Sequence, residues 1–309
     1  YYSTSSFNSG TKPSPKATLA GEDRTYTDTS ITVDTVVYTA IGTVRLSVEK
    51  LSPVVATSTS RLTKAVKDAF VVGGKGFAYN FSDLSTLFKD TACTIPVTAV
   101  DDLIAAALDI SGHGKHLFQS TSGNRPILKK DADNVYYADF ASSKSMSTSS
   151  TVDLDSVTNF DLLAAIVPTT GSDSIAIETS TDYNSNSGAL AFIVNTSSSS
   201  LATRGSGTYP TGFNNATVAA TSGGSFNFSV DVGAATKIFK SRVNGSNITP
   251  SGVLDNSSTG LSSQILYIGS RAGSSAYSNM KCYSIVGIGR NLTTTESNLI
   301  EGIQTEPFV

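Results

Sequence analysis

The chain of 309 residues has no tryptophan, two methionines, two histidines and two cysteines. Cys93 and Cys282 lie 189 positions apart, so no disulfide framework and no cysteine-rich zinc site can be built from them. Charge is scarce as well, at 15% of residues against about 25% in an average soluble domain. A net charge of −3 and the absence of any Lys/Arg run longer than two exclude the footprint of a nucleic-acid binder or a polybasic membrane anchor. No apolar run approaches the ~20 residues of a bilayer span, and Leu162 to Val167 reads instead as a core strand, so neither nucleic acid nor membrane insertion is expected. What the chain does have is 48 serines and 38 threonines, 86 hydroxyl side chains in all, with 25 glycines. Hydroxyls on outward strand faces and Gly, Asn and Ser in turns describe an all-β protein.

The first sixty residues alternate in short runs that are rich in β-branched and aromatic side chains, broken by turn signals at Pro13, Pro15, Gly21 and Gly42. Thr25-Tyr26-Thr27-Asp28-Thr29-Ser30-Ile31, Asp34-Thr35-Val36-Val37-Tyr38 and Ser52-Pro53-Val54-Val55-Ala56-Thr57 together resemble the second half of a fibronectin type III module. On that resemblance Tyr1 to Ser5 is the middle strand and the first two strands are missing. Half a sandwich leaves an apolar face and open edges, so the natural polypeptide is expected to continue upstream of Tyr1. Nothing near Tyr1 has the sections of a secretory signal. Residues 61–80 read as a linker: Arg61 to Phe70 suits a short helix or a strand, and Gly73-Gly74-Lys75-Gly76 ends it in a flexible turn.

From Phe81 the pattern becomes more specific. Leu87-Phe88-Lys89-Asp90, Pro96-Val97-Thr98-Ala99, Leu108-Asp109-Ile110-Ser111-Gly112-His113-Gly114-Lys115-His116, Gln119-Ser120-Thr121, Arg125-Pro126-Ile127-Leu128 and Tyr136-Tyr137-Ala138-Asp139-Phe140 occur in order. The series resembles the opening of the concanavalin A-like (laminin G-like) jelly-roll domains of bacteriophage tail and virion proteins. Val243-Asn244-Gly245 and Ile265 to Arg271 resemble that family's later hairpin and strand, and Leu292 to Glu301 its terminal helix. Thr293 and Glu296 have capping-box spacing, which predicts the helix start independently, and Leu299, Ile300 and Ile303 are expected on its apolar face. Between these ends, strands are expected at 161–168, 174–179, 190–195, 216–220, 226–232 and 238–243, with a long last strand at 280–290. Phe226, Phe228 and Val230 alternate with Asn227, Ser229 and Asp231, so one face is apolar and the other polar. The expected architecture is all-β: a partial fibronectin type III-like sandwich over residues 1–60, the linker, and a concanavalin A-like jelly roll with a short C-terminal helix over residues 81–309.

Residues that could carry chemistry are few. Sandwich hydrolases use two carboxylates, commonly on an E-x-D-x-x-E strand, and none of the six glutamates (Glu22, Glu49, Glu178, Glu296, Glu301, Glu306) sits in that pattern. His113 and His116 could be metal ligands, or His113 could join Ser111 and Asp109 as a triad. Triads are assembled from distant segments, and a structural turn is the better reading. Asp182-Tyr183-Asn184-Ser185-Asn186-Ser187-Gly188 starts like a calcium loop but has Ser187 in place of the required Gly and Ile193 in place of the bidentate Glu, which favours a hairpin turn. Tyr183, Tyr209 and Tyr277 stand in polar loops and are candidate platforms for a sugar ring. Cys93 and Cys282 are placed on the first and last strands of the jelly roll, as buried free thiols. No catalytic, cofactor or metal residue is assigned, and the carbohydrate-contacting residues are left open.

The resemblance implies a structural or adhesion protein of a tailed-phage virion, in a fibre, collar or capsid decoration. Such a protein is made in the host cytoplasm and displayed on the particle surface, without enzymatic activity or cofactor. Its partners would be other virion proteins through the upstream region, further copies of itself in a homo-oligomer such as a trimer, and a host surface polysaccharide. The alternatives are a polysaccharide depolymerase of the same sandwich class and a secreted host lectin or adhesin.

Overall fold

The computed structural model describes residues 60–308 except 142, 205–212, 220–222, 234–237 and 252–259, and five short strands within residues 1–59. The chain divides into two compact units, Tyr1–Lys64 and Ala65–Val309. In the first, Tyr2–Ser3, Val37–Thr39 and Val55–Thr57 form an antiparallel three-stranded sheet with Val37–Thr39 in the centre, and Gly42–Arg45 pairs with Val48–Leu51 as a hairpin. The run Tyr26 to Ile31 lies outside the described residues.

The second unit is an all-β sandwich. Among the described residues one sheet has eight strands. Its centre is formed by Met280–Ile288 and Asn159–Pro168, flanked on one side by Tyr136–Asp139 and Ile127–Lys130 and on the other by Gly224–Asp231, Ile238–Val243 and Ser246–Ile248. Gly76–Asn80 also pairs with Met280–Ile288, so the sheet begins inside the segment 61–80 that reads as a linker in sequence. Helix α1, Arg61–Val71, occupies the first part of that segment. The other sheet has nine strands, ordered Phe213–Ala219, Ser198–Arg204, Leu190–Val194, Ser174–Glu178, Tyr267–Ile268, Met146–Thr148, Leu117–Phe118, Ala106–Ala107 and Leu87–Phe88.

Alternation determines which side chains meet between the sheets. Phe226 and Phe228 from one sheet each approach Phe192 of the other at 5.5 Å between ring centroids, and all three are buried. Their sequence neighbours point away: Asn227 faces helix α2, Thr294–Thr305. The strand Ser198–Arg204 was not legible in sequence. Four consecutive serines read as a loop, yet Leu201 reaches the core while the Ser200 hydroxyl shares a 2.7 Å hydrogen bond with Thr217 of the next strand.

Helix α2 starts where the capping box predicts. The Thr293 hydroxyl accepts from the Glu296 N–H at 3.2 Å, and the Glu296 carboxylate accepts from the Thr293 N–H at 2.8 Å. Arg290, 2.6 Å from Glu296, and these capping bonds hold the Glu296 pKa down at about 2. The expected apolar face is corrected. Ile300 is buried, but Leu299 is 50% exposed, and the other buried positions are Glu301 and Gln304. The reason is the surface beneath the helix, where Asn227, Ser225 and Ser284 present amide and hydroxyl groups that need polar partners.

Cysteine placement is corrected too. Cys282 is buried in the long central strand, but Cys93 stands partly exposed in a turn, with φ +57° and its N–H bonded to the Asp90 carbonyl. Both are free thiols, and burial pushes the Cys282 pKa well up, which makes that thiol inert.

Candidate functional site

The loop Ser111 to His116 is a structural knot. Asp109 Oδ1 accepts from the N–H groups of Ala78 and Ser111, and its Oδ2 accepts from the Lys115 N–H at 3.0 Å. His116 Nδ1 accepts from the Asp109 N–H at 2.9 Å, while the His113 ring bonds Ser111 Oγ at 3.0 Å and lies edge-on to Phe70. The carboxylate is therefore spent on backbone amides and orients no histidine, so the geometry of a Ser-His-Asp triad is not formed.

The calcium-like loop folds as the hairpin turn its departures favoured. Asp182 Oδ1 accepts from the Asn184 N–H at 3.0 Å, Oδ2 from the Ser185 hydroxyl at 2.9 Å, and Arg271 Nη1 lies 3.2 Å from Oδ1. Among the described residues no group of three or more His, Cys, Asp or Glu side chains is placed to hold a metal ion.

That same loop belongs to the most developed polar cluster of the sandwich. The strand Ser174–Glu178 runs from a buried serine through Ile175, Ala176 and Ile177 to Glu178, which is fully buried. Its Oε1 accepts from the Tyr183 N–H at 2.5 Å and from the Ser180 hydroxyl at 3.1 Å, and its Oε2 takes Arg271 Nε at 3.4 Å. Burial raises the Glu178 pKa, and the Tyr183 N–H and Arg271 oppose the rise. Cross-strand pairing explains the meeting. Glu178 stands opposite Tyr267, and the chain runs from Tyr267 through Gly269 into a tight turn in which Arg271 and Ser275 form a bridge. Arg271 then lies with its guanidinium carbon 4.8 Å from the centre of the Tyr183 ring, a cation–π contact. The loop is anchored from its other end by Gly188. With φ +73°, it brings the backbone so close to Ser262 that a Cβ would sit 2.0 Å from the serine hydroxyl. Asn186 and Gln264 bond across this junction at 3.4 Å.

The arrangement is a ring and a guanidinium in fixed stacking, edged by the Asp182 carboxylate and by amides, on a partly exposed loop. Chemically it can stack a flat apolar face and exchange hydrogen bonds with hydroxyl groups. Of the candidate platforms, Tyr183 is therefore part of a cluster. Tyr277 donates its hydroxyl to the Gly273 carbonyl of its own loop at 2.9 Å, and Tyr209 lies outside the described residues. Glu178 and Arg271 were not singled out in sequence. The available signal is a lone carboxylate directly after the apolar run Ile175-Ala176-Ile177. Elsewhere an open groove of about 680 Å³, lined by Lys75, Thr158, Asn159, Arg290 and Asn291 among others, has its cations already engaged. Lys75 pairs with Asp153 at 2.9 Å, and Arg290 bonds Glu296 and the backbone carbonyls of Gly73, Asn291 and Ala69.

No protein-family model and no curated protein matches the sequence. Among solved structures the chain is similar to an arabinofuranosidase complexed with arabinofuranosyl-alpha-1,2-xylobiose, at TM-score 0.50 and 12% identity over 78% of this chain. The alignment spans 64% of the arabinofuranosidase, a little under two thirds of its length. Similar too, at TM-score 0.46 and 7% identity, is the botulinum neurotoxin serotype D ligand binding domain in complex with N-acetylneuraminic acid, with 78% of this chain and 52% of that one covered. The likeness shows the fold, a β-sandwich shared with an arabinofuranosidase solved in complex with arabinofuranosyl-alpha-1,2-xylobiose. The expectation of a protein without enzymatic activity is overturned by the first of these findings. Arabinofuranosidases are enzymes, so likeness to one in fold removes the ground for excluding activity.

Proposed function

We propose that the sandwich is a carbohydrate-recognition domain and that its sugar-contacting site is the Tyr183–Arg271–Asp182 cluster. The observation that carries this reading is the Arg271 guanidinium held 4.8 Å above the Tyr183 ring while also paired to Asp182. Ring and carboxylate are thus ordered before a ligand arrives, which lowers the entropic cost of binding. The similarity of the series from Phe81 to Phe140 to phage virion jelly rolls supports a finer setting. There the domain is displayed on a tailed-phage particle, as an oligomer, facing the polysaccharide of a host cell.

Screening the purified chain against an array of surface oligosaccharides tests recognition. Binding by the native chain and a loss of about tenfold or more in Tyr183→Ala, for about 1.4 kcal/mol of stacking, is the expected result. Equal binding by Tyr183→Ala refutes this site. Chromatography of the bound oligosaccharide after incubation separates the two ways such a site can be used: shortened products mark a depolymerase, and an unchanged ligand marks a lectin. Detection of the chain in purified virions tests the finer setting.

A further inference from the structure

We infer that this site selects uncharged saccharides and discriminates against those carrying carboxylates, an inference that rests on the carbohydrate-recognition reading above. An exposed arginine beside a tyrosine would ordinarily suggest the opposite, since a guanidinium fork matches a carboxylate well. Here two of the three guanidinium nitrogens already face carboxylates. Arg271 Nε faces Glu178 Oε2 at 3.4 Å and Nη1 faces Asp182 Oδ1 at 3.2 Å, so two carboxylates share one partly exposed cation.

Exposure decides which charge a ligand meets. The Asp182 side chain is 37% exposed and that of Arg271 is 23% exposed, while Glu178 is closed off altogether. Arg204 adds a second cation next to this loop, its backbone bonded to Gly188 and Ala189, but it is only 5% exposed and presents little of its charge to solvent. The outward rim is therefore an acidic oxygen pair together with the amides of Asn184, Asn186 and Gln264, all partly exposed. A carboxylate accepts hydrogen bonds from neighbouring sugar hydroxyls and repels a uronate or sialate carboxylate. A neutral sugar would lay its apolar face on Tyr183 and donate hydroxyls to Asp182.

The test uses the intact chain and paired oligosaccharides that differ only in a terminal neutral hexose or the corresponding uronic acid, with a sialylated ligand as a third probe. Calorimetric titration at low salt is expected to show the neutral member bound at least tenfold more tightly. Raising ionic strength from about 0.02 M to about 0.5 M is expected to narrow that gap in the native chain, because screening weakens the repulsion. Asp182→Asn is expected to close most of it by strengthening acidic binding. Tighter binding of the acidic member, or a gap that neither salt nor Asp182→Asn changes, overturns the inference and leaves carbohydrate recognition standing. Failure of all three probes, and of the wider array, overturns the recognition reading itself.

Discussion

Two buried glutamates in this molecule are each paired with a partly exposed arginine, and they do different work. Glu301 of α2, 1% exposed, accepts from the Gly245 N–H at 2.8 Å and from the Asn227 amide at 3.3 Å, and lies 3.0 Å from Arg242. The Arg242 Nη1 and Nη2 groups also turn back into the fold, to Asn298 and to the Gly245 carbonyl. Glu178 is as thoroughly buried, but its Arg271 reaches outward to a tyrosine ring and an acidic loop. The pair alone thus says little about role. Where the arginine sends its other face separates a clamp between helix and sheet from a platform for a ligand.

Removing each glutamate breaks this comparison most directly. Glu178→Ala is expected to cost about 3 kcal/mol of stability, because a buried ion pair loses one partner, and to abolish oligosaccharide binding as Tyr183 and Arg271 lose their shared anchor. Glu301→Ala is expected to cost a similar amount, about 3 kcal/mol, with saccharide affinity in the folded fraction unchanged. Denaturant unfolding together with calorimetric titration reads both quantities. If the second variant loses binding as the first does, the division between clamp and platform is wrong.

A smaller effect sharpens the helix side. Asp161, beneath the start of α2, accepts from the Leu292 N–H at 2.9 Å. Burial pushes its pKa up to about 6, with Leu292, Ser229 and Arg290 pulling the other way. The unfolded value is about 3.9, so between about pH 4 and 6 the folded chain holds the extra proton, and stability falls as pH rises through that window. Asp161→Asn, which keeps an acceptor for Leu292, is expected to remove this slope and to add about 2 kcal/mol at neutral pH. Unchanged melting curves at pH 4.5 and 7 for native and variant chains would contradict it.

Local patterning made much of the sandwich legible. The runs at 161–168, 174–179, 190–195, 226–232 and 238–243 match observed strands to within two residues, because short apolar or alternating runs are bounded by turns that carry Gly, Ser and Asn. The strand Ser198–Arg204 escaped, since hydroxyl side chains serve both in loops and along a sheet. Its identity comes from pairing with Leu190–Val194 and Phe213–Ala219. The face of α2 also escaped, because helical periodicity favours an apolar stripe and takes no account of the polar sheet waiting beneath.

Composition, alternation and the capping box at Thr293 determined by themselves that this is an all-β chain rich in hydroxyls and closed by one C-terminal helix, since these are short-range properties. The sequence offered Tyr183 and its Asp182 loop, and tertiary structure alone joined them to Glu178 and Arg271. Glu178 and Arg271 are 93 residues apart, and no local rule connects them. They meet because Glu178 pairs across the sheet with Tyr267, four residues before Arg271, and burial then obliges the carboxylate to find a cation.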